Sequence, residues 1–284
     1  MADAIQTLPN TKQDLIVSLV QKELKEKSFL FNTIEDLSRF AVKGAQSISV
    51  PKLSSFTAVS RTLGAAQDSV ALTDSKDLIN LDQFPYIAWL EDHADIYQST
   101  IDYRIEASLR AASAQGRFID ANIIAGLETV AGLNINGAVP ADVTAANILL
   151  MRRTLMERNA DMTKVVFVIA PDQEEAMLKL PEFSRYDYRG NGSSPILHGQ
   201  IGSVYGVPVM IHNGVKAQQA FMYEMSGFGI AFSQSVQMSE QKANEYGSMS
   251  VRVAMDQAFG SGGLQLGVNG VLATESPLVA KLID

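Results

Sequence analysis

The chain has no cysteine and only three histidines among its 284 residues. Without cysteine, disulfides and thiolate chemistry are excluded, and a reducing compartment is compatible with the chain. His93, His198 and His212 stand far apart, and none has a second ligand at metal-binding spacing. Each reads as a surface or loop residue. No stretch of about 18 uninterrupted apolar residues is present, so no membrane helix is expected. Met1 to Asn10 lacks a basic segment followed by an apolar run, which argues against a secretory signal. A soluble, intracellular protein is the expectation. Charge is also scarce: 19% of residues are Asp, Glu, Lys or Arg, against about 25% in ordinary domains. A surface largely covered by neighbours would suit that shortage. The net charge of −8 argues against a broad basic face that wraps nucleic acid, and leaves room only for local contact.

Catalytic signatures are missing as well. The glycines of Gly199-Gln-Ile-Gly202 and Gly206 fit neither a dinucleotide fingerprint nor a Walker loop, which need a preceding strand and a following helix. Gly260-Ser-Gly-Gly263 lacks the Lys-Ser/Thr of a phosphate loop, and no Gly-x-Ser-x-Gly elbow occurs. Glu174 and Glu175 fall at a helix start, where the dipole accounts for them. No residue is assigned a catalytic, cofactor-binding or metal role, and no cofactor is expected. A structural protein, not an enzyme, is the expectation.

What is present is an ordered series of elements. Residues 1 to about 30 are polar and helix-prone, with Thr11 placed to cap a helix and Asp14 three residues on. They hold too little apolar surface for a domain and read as an arm that packs on something else. Gln46 to Leu53 is followed by a Ser/Thr/Ala/Gly/Asp-rich stretch from Ser54 to Ser75 that cannot bury much of itself. Two readings fit: a floppy insertion, or an extended hairpin ordered by a neighbouring subunit. Ile79 to Asp82 alternates like a half-buried strand, and Trp89 and Leu90 lead into a long helix from Ile96 to Leu127. The helix stripe is Ile101, Ile105, Leu109, Ala112, Gly116, Ile119, Ile123 and Leu127, at steps of three or four. From Ile101 it would span about 40 Å. Gly116 weakens it unless something packs closely there. Arg104, Arg110 and Arg117 fall on other faces, read as solvated charge, with a DNA-binding stripe as the alternative.

Asn136-Gly137 marks a turn, and Pro140 to Thr144 opens a second helix through Asn159 with Ile148, Met151 and Leu155 inward and Leu149 and Met156 alongside. Lys164 to Ala170 reads as a strand covered on both faces. Pro171 starts a short helix that Pro181 stops. Phe183 to Gly192 is a Tyr/Arg/Gly-rich loop that could bind an anion or stack on a base. An intersubunit contact fits it better, because Tyr and Arg are enriched at interfaces. The remainder is mainly β: Val207 to Ile211, the turn Asn213-Gly214, the strictly alternating Ser248 to Asp256, and Leu264, Leu266 and Val268.

This order of elements resembles the major capsid protein of tailed bacteriophages with the HK97-type fold. Ser49-Val-Pro-Lys-Leu53 and the polar hairpin resemble the family's extended E-loop. Ile96 to Asp102, through Asp120 to Gly126, resembles its spine helix. Val165 to Leu180 is similar to the axial strand and helix, and Gly199 to Val209 to the stretch returning toward the peripheral domain. The resemblance implies an α+β fold. Its parts would be an N-terminal arm at 1–42, the E-loop region at 43–82, a peripheral domain with the spine helix at 83–135, an axial α/β domain at 136–232, peripheral strands at 233–258 and a C-terminal return at 259–284. It also implies self-assembly into hexamers and pentamers of an icosahedral shell around double-stranded DNA, with Phe183 to Ser194 near the capsomer axis. Expected partners are further copies of the chain, a separate scaffolding protein, a portal, possible decoration proteins and non-specifically contacted DNA. The site would be the virion capsid, assembled in the host bacterial cytoplasm. Some relatives cross-link an E-loop lysine to an asparagine beside a glutamate. Lys52 or Lys76 could supply the amine, and Asn244 with Glu240 or Glu245 the partner, although a solvated turn explains the same residues. An encapsulin-like nanocompartment shell and a small-molecule enzyme on the α/β part are the alternatives.

Overall fold

A computed structural model of the chain describes residues 17–22, 30–42, 44–53, 74–92, 103–129, 133–134, 142–180, 202–242, 250–264 and 279–282. Its axis is α1 (Tyr103–Thr129), 27 residues long and therefore about 40 Å. Ala112, Gly116, Ile119, Ile123 and Leu127 are buried as the spacing requires, Leu109 is half-buried, and Ile105, nearer the start, is exposed. Ile96 to Asp102 lies outside the described residues. Gly126 is needed for close approach: a Cβ there would meet the Phe228 ring at 2.5 Å.

Two sheets share this helix. The first has β1 (Glu35–Asp36), β4 (Tyr86–Asp92), β10 (Phe228–Lys242) and β11 (Ser250–Gly263), in the order β1-β10-β11-β4. Val253, Met255 and Phe259 of β11 and Phe228 and Ile230 of β10 form one core with Ile119 and Ile123 of α1. The part of the expected alternation that is described, 250–256, is realised here, since Val253 and Met255 are buried while Arg252 is exposed, and 248–249 lie outside the described residues. Trp89 and Leu90 are a correction. They do not lead into the helix but lie in β4, which pairs antiparallel with β11. Their neighbourhood is apolar enough for either reading, and the open register beside β11 decides for the strand.

The second sheet has β5 (Leu133–Asn134), β6 (Val165–Ile169), β7 (Ser203–Val204), β8 (Val207–Ile211), β9 (Ala220–Glu224) and β12 (Val279–Leu282), in the order β5-β12-β9-β6-β8-β7. All five residues of β6 are buried, as expected of a doubly covered strand. Val166 and Val168 belong to the core shared with α1. Val165, Phe167 and Ile169 pack with α2 (Ala145–Glu157) and α3 (Pro171–Leu178) on the other face. Thr144 caps α2 by accepting the Asn147 N–H at 3.2 Å, and the inward face is Ile148, Met151 and Leu155 as expected. Parallel β6 and β8 are joined through α3, the usual crossover for parallel neighbours.

A third unit is the antiparallel pair β2 (Ser47–Leu53) and β3 (Asp74–Asn80). It forms a two-stranded sheet that pairs with no other strand among the described residues. Ile48, Ile79 and Leu81 anchor its base against Leu37 and Leu264. The stretch 54–73 between its strands lies outside the described residues, as do the expected turn at 136–137 and the loop at 183–194.

Candidate assembly surfaces

The described segments that precede α1 are tied to the body by polar groups that pattern reading does not reveal. Asp120, on α1, is only 2% exposed. It accepts the Leu30 backbone N–H at 3.2 Å through Oδ1, and its Oδ2 stands 3.3 Å from His212 Nε2. Gly214 N–H donates to His212 Nδ1 at 3.0 Å. That ring nitrogen is therefore the acceptor and Nε2 carries the hydrogen that points at Asp120. One carboxylate thus joins the segment before β1, the long helix and the turn after β8. Beside it, Thr33 donates its hydroxyl to Leu30 O at 2.7 Å, and Tyr223 OH completes the chain at 2.6 Å from Thr33 Oγ1. Burial pushes the Tyr223 phenol well above its ordinary pKa, only partly offset by the Thr33 hydrogen bond. Val20, fully buried, joins the same core. At that residue the arm packs on its own subunit.

The beginning of α1 is held in a similar way. Arg104 donates to Glu91 Oε2 at 2.8 Å from Nη2 and 2.9 Å from Nε, and to Glu240 Oε1 at 3.0 Å. Trp89 Nε1 donates to the other Glu91 oxygen at 2.8 Å. Arg104 is therefore not the solvated charge expected of it. It bridges β4 and β10 to the helix. Arg110 and Arg117 are exposed, as expected, with Arg110 paired to Glu106 one turn away.

His212 is in a loop, as read, but it is no surface residue: its ring is 14% exposed and held by Asp120 and Gly214. His93 and His198 lie outside the described residues. Of the groups named for a cross-link, Lys76 is exposed on β3, and Glu240 is engaged by Arg104. The Lys52 side chain, Asn244 and Glu245 lie outside the described residues. Among the described residues no three His, Asp or Glu side chains form a group that could hold a metal, and no helix is long and apolar enough to cross a membrane. Asp120 and Glu91 were missed because each is an acidic residue beside apolar ones, Asp120 alone and Glu91 next to Asp92, which sequence alone cannot tell from solvated charge. The only signal was the position of Asp120 directly after Ile119.

The remaining surface carries unpartnered apolar side chains. Phe84, Tyr86 and Leu90 are exposed on or just before β4, Leu78 on β3, and Leu149, Leu150 and Met156 on α2. That pattern of several large apolar side chains left outside a complete core suits a subunit of a larger assembly. A family model described as phage capsid protein matches residues 30–270, which includes the long helix, the hairpin, the whole first sheet and every strand of the second but β12. The chain belongs to the phage capsid protein family. Its fold is similar to the mature capsid of bacteriophage PhiM1 (TM-score 0.62, 16% identity, covering 89% of this chain and 86% of that one). It is also similar to the capsid of cyanophage P-SCSP1u (0.63, 13%, 88% and 86%) and to the capsid of a native GTA particle (0.65, 13%, 90% and 89%). No curated protein sequence matches it. The fold is the HK97-like α+β fold. The chain is a major capsid shell protein, and not a member of the nanocompartment class. Family and fold point to a structural protein and not to a catalyst. They also imply self-assembly and a place in the virion capsid.

Proposed function

We infer that this shell protein assembles as hexamers and pentamers of an icosahedral capsid around double-stranded DNA. The observation that carries the reading is the β2–β3 pair, which among the described residues joins no other strand and is anchored at its base by Ile48 and Ile79. Such an element adds little to its own subunit's core, so a neighbouring subunit is the natural place for it. The sheet β1-β10-β11-β4 with α1 would be the peripheral domain. The sheet with β6, α2 and α3 would be the axial domain, at the capsomer centre, with the loop 183–194 near its axis. Partners are further copies of the chain, a scaffolding protein, a portal and decoration proteins. Assembly takes place in the host bacterial cytoplasm. The net charge of −8 opposes any broad contact with packaged DNA and leaves only non-specific, local contact. Deleting Ser54 to Ser75 tests the reading: it should leave a folded subunit, by circular dichroism, that makes no stable shells by electron microscopy. Normal shells from the deletion would overturn it.

A further inference from the structure

The axial sheet carries two helices on one face, and they differ in charge and position. α2 packs over β12 and β9, whereas α3 is the crossover between β6 and β8 on the other half of the sheet. The two helices therefore sit side by side, each with an outer flank. α2 shows Leu149, Leu150 and Met156 at 45%, 40% and 52% exposure, with exposed Arg153 and half-buried Arg152, whose Nε is covered, among them. α3 shows Asp172, Glu174 and Glu175 in its first turns. Arg153 and Glu175 are held in exposed pairs with Glu157 and Lys179, of the kind that contributes little, whereas Asp172 is engaged by the Gln218 N–H at 2.7 Å.

A ring of identical subunits closes through a heterologous interface, in which one patch of each copy meets a different patch of the next. We propose that the α2 face of one subunit docks on the acidic α3 face of a second copy of this chain, and that this contact closes the capsomer ring. The apolar side chains of α2 provide the covered centre, and the arginines meeting Glu174 and Glu175 set its direction and register.

The inference rests on the shell reading above, and a charge swap separates the two. Rings and shells are scored by native mass spectrometry and electron microscopy, with thermal melts confirming each dispersed subunit as folded. The R152E/R153E chain and the E174R/E175R chain should each lose rings, by at least about tenfold in yield. The chain carrying all four changes should regain them, since every interface is then swapped. As the wild type has no cysteine, the M156C/E175C chain should give disulfide-linked ladders up to five or six subunits. Single reversals that assemble like wild type, or a four-change chain no better than either parent, would overturn the interface alone. A wild-type chain that forms neither rings nor shells would strike the shell reading itself.

Discussion

Replacing Asp120 by Ala removes the acceptor on which three segments converge. The Leu30 N–H loses its carboxylate partner, and an orphaned buried donor costs about 1–3 kcal/mol. The contact with His212 Nε2 is lost too, worth about 1 kcal/mol for a partly buried pair. Against this, a carboxylate no longer has to be buried, which returns part of its desolvation cost. The net expectation is a loss of about 2–4 kcal/mol. Asp120→Asn should cost less, about 1–2 kcal/mol, because its Oδ1 still accepts from Leu30. Its amide would face the Nε2 hydrogen, and Gly214 keeps Nδ1 from taking that hydrogen instead. The assay is urea unfolding of the dispersed subunit, with hydrogen exchange read at the Leu30 amide. Exchange there should quicken sharply in the Ala variant and modestly in the Asn variant. A loss under about 1 kcal/mol for Ala, or Asn costing as much as Ala, would refute the argument.

Tyr223 should make stability fall at alkaline pH. Its folded pKa is raised, so the stabilisation is complete below the unfolded value of about 10 and is lost as pH climbs above it, by up to about 1.4 kcal/mol per pH unit. Tyr223→Phe should flatten that decline while costing about 1 kcal/mol at neutral pH, read from unfolding midpoints across pH. Arg104→Ala should cost about 2 kcal/mol, discounted for the partial exposure of the arginine, because Glu91 stays 6% exposed without its cation. Trp89 is the only tryptophan and hydrogen-bonds the same carboxylate, so its emission should shift to the red. Gly260→Ala should be severe, about 3 kcal/mol or more, because the new Cβ would stand 1.9 Å from Asn80 O. Gly262→Ala, whose Cβ would meet only Ile79 at 3.4 Å, should stay within about 1 kcal/mol. Equal melting temperatures for the two glycine variants would contradict this packing.

The elements that periodicity could identify were those whose burial is set by one neighbour at a fixed repeat. The stripe of α1 from Leu109 to Leu127, the inward face of α2, the doubly covered β6 and the alternation along β11 all follow from side-chain spacing and apolar character, which are local properties. The Pro171 start is equally local. The start of the pattern is less well determined: Ile105 repeats the stripe but stands exposed, and the stripe is fully buried from Ala112 onward. The wrong placement of Trp89 and Leu90 has a related cause. Only the β11 register turns that segment into a strand.

What the sequence alone determined is therefore the order of the helices and of some of the strands, and through it the capsid family, since element order survives where identity to solved capsids is as low as 12%; β4, β9 and β10 were not read from it. What only the tertiary structure decided is the wiring between them. Leu30, Asp120 and His212 are 90 and 92 residues apart along the chain at their joining bonds, and Arg104 reaches Glu240 across 136. Hydrogen bonds of that range depend on where folding brings distant backbone together. No spacing in the sequence records them, so a buried Asp and a solvated one read alike until the fold is known.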